Sequence, residues 1–511
     1  MNRAFLLTLW CALLFTVCLA LNTRHNRFPW HYHPDEPGKV EQILENRWNL
    51  HHPLLQLGTT KTALTLIGSP RDEQTIVETG RTISAAFSAG AAVILSLLAY
   101  SWRGWPVALI TGLLLATHHQ LYELSHYLKE DPSLLFGIAL TFLALWLYSE
   151  HPSLPRAALL GAGCALATSG KYIGVVSVLL VLPVLLRPRQ PPAGLVFFGV
   201  FTAVFCAVNW PLFAQMTTFQ ESFSREMDLV VKGQGGTTQR VPHSEYWTIF
   251  RDNTTPAIWL FLVLFLIGRW RERRSLSLTA WILVLFPFLY SLALSFSPKT
   301  NDRYFLPATA MFTLFAAIGV SDLGRFLHTW TADAKTLFAT QCLSALLLIG
   351  VQFPNMSASR PGWLAYERAF RVDDHADLIE WLKREVSPEA ILLKDNRIAL
   401  PDPQRKKHAG RLGVIPQKVI AKRYAADFAT FDELKTKGIT HLIVSESDYG
   451  KFFRERLRPK KGEEVEFTRR REFYSRLFAE AELLWERERG TVIYLHPGIR
   501  VYRLHDEPAR K

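Results

Sequence analysis

The sequence predicts an α-helical polytopic membrane protein of about eleven transmembrane helices with a C-terminal extracytoplasmic α/β domain. Three observations predict it. Apolar residues make up 49% of the 511 residues and gather in unbroken blocks instead of recurring at amphipathic spacing. Arg and Lys collect in alternate loops between those blocks. After about residue 355 the blocks stop and a mixed helix and strand pattern begins, which divides the chain into 1–354 and 355–511.

In chain order the candidate spans are Ala4 to Leu21, Ile83 to Tyr100, Trp105 to Thr117, Ser133 to Tyr148, Ala157 to Ser169, Ile173 to Leu186 and Gly194 to Asn209, then Ala257 to Gly268, Leu276 to Phe296, Phe305 to Val320 and Leu337 to Phe353. Many approach the roughly 20 residues that cross the hydrocarbon core as a helix, and the shorter ones suit tilted or broken helices. The first block fits either an anchor helix or a signal peptide with Cys18-Leu19-Ala20 as its small-residue site.

With a cytoplasmic N-terminus, Arg103, Arg156, Arg187 with Arg189, Arg269 to Arg274, Arg325 and Lys335 all fall on one side. The opposite loops are longer. They run from Asn22 to Gly80, His118 to Pro132, Trp210 to Thr255 and Ser297 to Tyr304, and an odd span count puts the tail from about Pro354 outside with them. The expected location is the plasma (inner) membrane.

The tail reads as a small soluble domain: a helical pattern at His375 to Leu382, strands at Ala390 to Leu393 and His441 to Val444, and strand-like Thr491 to Leu495 and Arg500 to Tyr502. Its basic runs, Arg456 to Lys461 and Arg469-Arg470-Arg471, suit a solvated face, anionic headgroups or an acidic glycan. The net charge of +13 is placed at span ends and on this tail, so nucleic acid is not an expected partner. All five cysteines sit inside apolar blocks as small hydrophobes, with no disulfide framework or metal spacing.

Polar groups at the outer ends of spans are costly to hold near lipid unless something uses them. Four clusters stand there. His31-Tyr32-His33-Pro34-Asp35-Glu36 offers two carboxylates for general-base work, or a capped helix start. His51-His52-Pro53-Leu54-Leu55-Gln56 offers polar contact to a phosphate or sugar; adjacent histidines point apart and no HExxH spacing exists, so no metal is expected. Lys129-Glu130-Asp131-Pro132 puts Asp131 on the same face as Asp35 and Glu36. Lys171-Tyr172, and Lys299 with Arg303-Tyr304, are cations that either snorkel or hold a phosphate.

In this order the motifs resemble the GT-C glycosyltransferases, in the branch of the protein O-mannosyltransferases and the aminoarabinose transferases. The resemblance covers roughly residues 1 to 355 and rests on Asp35-Glu36, His51-His52-Pro53-Leu54, Asp131-Pro132, Lys171-Tyr172 and Arg303-Tyr304-Phe305-Leu306-Pro307. Where related mannosyltransferases carry His-Pro-Pro-Leu-Gly-Lys, this chain lacks the second proline and has Gln56 instead of the lysine. The outer loop from Gln215 to Asn253, with Gly233 to Gly236, has no counterpart and reads as a mobile gating loop.

The resemblance implies a hexosyl- or pentosyltransferase, mannosyltransferase-like, that moves a monosaccharide from a polyprenyl-phosphate donor to a protein, lipid or glycan acceptor with inversion. It assigns Asp35 as base, Glu36 and Asp131 as orienting carboxylates, and His51, His52, Lys171, Arg303 and Tyr304 as substrate contacts, with no cofactor. The rival class is a transporter or flippase of lipid-linked sugars, which would place polar residues deep in several helices. Apart from Lys171 they stand at helix ends.

Overall fold

The computed structural model describes residues 2–186, 191–232, 238–239, 242–299, 301–328, 333–357, 360–401, 414–454 and 457–504. Gly233 to Gly236, Arg187, Arg189 and Arg456 lie outside the described residues. The chain forms two compact units: Met1–Asn26, Gly38–Gly233 and Pro242–Leu364 make the first, and Arg27–Pro37, Gln234–Val241 and Ala365–Lys511 the second.

The first unit is a helical bundle. Its helices are α1 (Arg3–Thr23), α2 (Glu36–Glu45, whose first two residues belong to the second unit), α3 (Leu55–Leu66), α4 (Glu73–Arg103), α5 (Trp105–Ala116) and α6 (His119–Ser125). There follow α7 (Asp131–Glu150), α8 (Leu154–Gly170), α9 (Val176–Leu185), α10 (Pro191–Val208), α11 (Trp210–Ala214) and α12 (Met216–Lys232). The last are α13 (Pro242–Asp252), α14 (Pro256–Glu272), α15 (Leu278–Ser295), α16 (Leu306–Leu327) and α17 (Ala334–Gly350). Every candidate span falls on one of these helices. Among the described residues, Arg3–Thr23, Glu73–Arg103, Asp131–Glu150, Leu278–Ser295 and Asp302–Leu327 are long and apolar enough to cross a membrane. The chain is an integral multi-pass membrane protein.

Helix starts follow local chemistry. Asp131 and Pro132 open α7, where a missing N–H costs nothing and a carboxylate meets the positive helix end. The Thr255 and Ser277 hydroxyls cap α14 and α15. Between lipid-exposed helices, close packing of small residues replaces the hydrophobic drive of water. At Gly137 on α7 an added Cβ would come within 2.2 Å of the Ala167 backbone on α8, and at Gly170 within 2.6 Å of Leu134. That contact aligns the start of α7 with the end of α8. Helix α16 runs through the middle, buried from Leu306 to Val320.

The second unit holds α18 (Trp363–Ala369, shared with the first unit), α19 (Asp374–Glu385), α20 (Glu433–Thr436), α21 (Glu446–Tyr449) and α22 (Glu464–Glu480). Its strands are β1 (Thr238–Gln239), β2 (Ile391–Asp395), β3 (Lys418–Lys422), β4 (His441–Ser445), β5 (Arg458–Pro459), β6 (Glu482–Arg489) and β7 (Pro497–Arg503). Five form a sheet in the order β3-β2-β4-β7-β6, with β2, β3 and β4 parallel and β7 and β6 antiparallel. β1 and β5 pair separately.

Leu392, Leu393, Leu442, Ile443 and Val444 are fully buried between the helices, each stabilising the domain by about 1.5–3 kcal/mol. The strand expected at Thr491 to Leu495 is a turn instead: the Val492 carbonyl accepts from the Leu495 and His496 amides, and its buried residues sit three apart. The strand lies earlier, at β6, whose second half, Glu486-Arg487-Glu488-Arg489, is all charged, as suits the sheet's edge.

Candidate functional site

In the first unit, two segments far apart in sequence carry their cations to a carboxylate on a third. Lys171 ends α8 at a break before the 3-10 turn Tyr172–Val175, and the Gly137 and Gly170 contacts bring it onto the Asp131 carboxylate at the start of α7, where the two form an ion pair. Asp131 is buried, and Lys171 nearly so. Arg303 sits on the 3-10 turn Asp302–Phe305 that opens α16, with its amide held by Asn301 Oδ1 at 3.2 Å and its Nε 4.0 Å from Asp131 Oδ2. Gln120 of α6 fixes that turn by donating to the Asp302 carbonyl at 2.7 Å, and accepts from Thr309.

Tyr304 is the hub. Its ring faces Lys171 Nζ at 4.8 Å, the Arg303 guanidinium at 5.6 Å and Lys299 Nζ at 5.9 Å, each attracted by the ring's negative face. Lys299 also pairs with Glu226 on α12, which Ser222 and Ser297 tie down by donating to the Asn49 and Val230 carbonyls. A second ion pair joins Lys39 on α2 to Glu130 at 2.5 Å, with Lys39 also donating to the Leu128 carbonyl. Burial raises the Glu130 carboxyl, but Lys39, His52 and Lys129 outweigh it and hold the group well below the usual carboxylate range.

The loop before α3 is pinned to the bundle by Tyr172 Oη donating to the Leu50 carbonyl and by the Leu54 amide donating to Asn209 Oδ1, both at 2.9 Å. His52 thereby comes under the fields of Glu130, Lys171, Lys39 and Glu226. Desolvation, chiefly, pushes the half-buried imidazole down to about 4, so His52 is neutral at physiological pH and meets a ligand as a dipole, not a cation. His51 is half-buried, its amide donating to Asn49 Oδ1. Gln56 is buried and donates to the Gly80 carbonyl and Ser84 Oγ at 3.0 Å each, a helix-packing role.

Asp35 and Glu36 belong to the second unit, on the segment Arg27–Pro37. There Tyr32 Oη donates to Asp373, the His33 ring lies 4.3 Å from the Tyr494 ring, and the Asp35 amide donates to His33 Nδ1 at 3.1 Å. Asp35 is exposed; Glu36 is buried and opens α2. Sequence reasoning selected Asp131, Lys171, Arg303 and Tyr304, which the structure gathers. It offered Lys299 as a phosphate-holding cation beside Arg303, and passed over Lys39, Glu130 and Glu226 as site residues, although Glu130 stands in a motif it quoted. Of the basic run in the tail, Arg469 and Arg470 are paired with Asp427 and Glu466. Among the described residues no group of three or more His, Cys, Asp and Glu could hold a metal ion.

Comparison with known proteins finds the fold in solved structures. The family model of the dolichyl-phosphate-mannose-protein mannosyltransferases matches residues 72–188, the stretch that carries Asp131 and Lys171. ArnT from Cupriavidus metallidurans bound to undecaprenyl phosphate is similar over 98% of this chain and 97% of its own, with a TM-score of 0.51 at 12% identity. Its apo state gives 0.50 at 13% over the same shares. The Archaeoglobus fulgidus oligosaccharyltransferase in its apo form gives 0.52 at 12%, covering 87% of this chain and 70% of that one. No curated protein matches the sequence.

Proposed function

We propose that this chain, which has the GT-C fold, is a membrane glycosyltransferase that moves a monosaccharide from a polyprenyl-phosphate donor to an extracytoplasmic acceptor with inversion. The observation that carries the reading is the gathering of Lys171, Arg303 and Lys299 around the Tyr304 ring, where the membrane-length helices Asp131–Glu150 and Asp302–Leu327 begin. Fixed cations at that depth suit a phosphate borne by a lipid, because the charge that develops on a leaving phosphate is met by groups already in place. The match of residues 72–188 to the mannosyltransferase model and the fold shared with an undecaprenyl-phosphate-bound ArnT support the same donor chemistry.

In the reaction the acceptor hydroxyl oxygen attacks the anomeric carbon as the bond from that carbon to the phosphate oxygen breaks. The electron pair leaves with the polyprenyl phosphate, whose negative charge Lys171 and Arg303 hold. Asp35 takes the acceptor proton, and Glu36 orients the acceptor. Asp131 aims Lys171 through their ion pair; on donor binding Lys171 shares its hydrogen bonds between carboxylate and phosphate. His52, neutral, contributes a hydrogen bond to phosphate or sugar, with His51 beside it.

The base assignment is tested with purified Asp35→Asn and labelled donor. The expected result is a loss of about 10²–10⁴-fold in transfer at unchanged donor affinity. Transfer near the wild-type rate removes Asp35 from the role.

A further inference from the structure

A second concentration of cations, unrelated to the membrane unit's chemistry, stands at one end of the tail's sheet. Strand β2 has β3 on one side and β4 on the other, all parallel, so successive connections depart to opposite sides of β2. In open α/β sheets the crevice outside the carboxyl ends of the strands, where the strand order turns, is the usual ligand position. Register fixes what lies at that end. Asp395 of β2 pairs with Lys422 of β3, Ser445 of β4 with Ile499 of β7, and Arg489 of β6 with Pro497, so the last residues of β2, β3, β4 and β6 share one edge.

The floor of this edge is built from fixed groups. Asp395 is fully buried, accepting from the Ala425 and Ser445 amides and from Tyr474 Oη at 2.7–2.9 Å. Arg397, two residues on, is held by Asp448 through its amide at 3.2 Å and its Nε at 3.3 Å. Gly498, at φ +71°, leaves room for the Cβ atoms of Glu446 and Arg489 to close in beside it; a Cβ there would meet them at 2.8 and 2.9 Å. Arg489, exposed at the end of β6, lies close enough to Arg454 and Arg397 for each to oppose its charge, while Glu446 favours it. Lys451 acts on Asp448 and donates to Tyr424 Oη. Among the described residues, Arg397, Lys451 and Lys394 act on the Asp448 carboxylate, and Arg489 faces Glu446 with Arg454 and Arg397 beside it.

We propose that the carboxyl edge of this sheet is a binding site for a phosphate monoester, held by Arg454 and Arg489 with Arg397 oriented behind them. Arginines converging from three chain segments cost self-repulsion, which a dianion relieves, and their planar forks match phosphate oxygens in pairs. The basic runs read from the sequence do not make this site: Arg469 and Arg470 are occupied by Asp427 and Glu466.

The test uses the full chain in phosphatidylcholine nanodiscs, titrated calorimetrically with glucose 1-phosphate, with glucose as the uncharged control. Arg454→Ala with Arg489→Ala should weaken binding by about tenfold or more, and the lysine pair by less, since charge remains but the fork is lost. A second arm replaces the probe with phosphatidic acid in the disc. The ordering of variants with glucose 1-phosphate assigns a saccharide phosphate, and the same ordering with phosphatidic acid alone assigns a lipid headgroup. A further measurement needs no variant: in the wild type, the probe should protect Arg454 and Arg489 from phenylglyoxal, read by mass spectrometry, but not Arg476, which pairs with Asp432 and Glu480 elsewhere. Equal binding by wild type and the double-alanine chain in both arms, or no protection at either arginine, overturns the proposal.

Discussion

The bundle carries two charged clusters at opposite ends of α16, and they are built on different principles. Near Val320, buried Arg269 of α14 donates to both oxygens of Asp322 at 2.9–3.0 Å. Arg325 joins Asp322 at 2.7 Å and Glu272 at 3.0 Å, and Arg103 of α4 closes on Glu272 at 2.8 Å. Every member is an arginine or a carboxylate, and the forks lock α4, α14 and α16 together. Some 19 residues up the helix, about 29 Å away, the cations are mainly lysines with one carboxylate each, and Arg303 stands 4.0 Å from its acid. Point charges on flexible stems around an aromatic ring can change partners, whereas paired forks cannot do so cheaply. One end staples helices; the other is arranged to exchange its anions.

The sharpest break of this contrast is Arg269→Ala, which leaves Asp322 buried without its main partner. It should cost about 3–5 kcal/mol, seen as an early thermal unfolding midpoint, and Arg269→Met with Asp322→Leu should recover most of it. If the single change is silent, the staple reading fails. At the exchangeable end the balance reverses: Arg303→Ala should cut transfer by about a hundredfold through lost phosphate stabilisation while the unfolding midpoint stays within a few degrees. A large drop in stability with little change in transfer would make Arg303 another staple.

Acidity sharpens the same comparison. In the unfolded chain His52 takes up a proton near 6.5, but in the folded protein only near 4. The unfolded state therefore binds more protons between those values, so His52 supports full stability above about 6.5 and loses it as pH falls toward about 4. Glu130, held low by Lys39, extends the loss below the carboxylate range. Unfolding midpoints of His52→Asn across this window should be flatter than wild type; identical slopes would remove His52 from the cluster. The smallest effect belongs to Arg325→Ala, whose side chain is 48% exposed: less than about 1 kcal/mol by denaturant unfolding.

What was legible in the sequence follows from what each feature depends on. The spans could be read because an apolar block long enough to cross lipid is a local property, and α1, α4, α7, α15 and α16 keep that length. Asp131, Lys171 and Arg303 could be read because a charge beside such a block is conspicuous. That Lys299 shares the Tyr304 ring with Lys171, or that Glu226 on an amphipathic helix closes on Lys299, depends on packing between segments tens to hundreds of residues apart, which no local pattern encodes. The same limit hid β6: an edge strand needs only one buried face, and its alternating Glu and Arg look like a helix surface or a loop. The tail's arginine edge was missed because its members come from three segments, while contiguous Arg469-Arg470 drew the eye and proved to be internally paired.

The central claim is that Lys171 and its neighbours receive a lipid phosphate as it leaves a sugar. It is tested most directly by single-turnover assay of wild type and Lys171→Ala in phosphatidylcholine nanodiscs, loaded with a labelled polyprenyl-phosphate monosaccharide, following release of polyprenyl phosphate with time. The account predicts release by the wild type, with inversion at the transferred or hydrolysed sugar, and a loss of about a hundredfold or more in the variant. Donor left intact by the wild type, or released equally fast by Lys171→Ala, would contradict it.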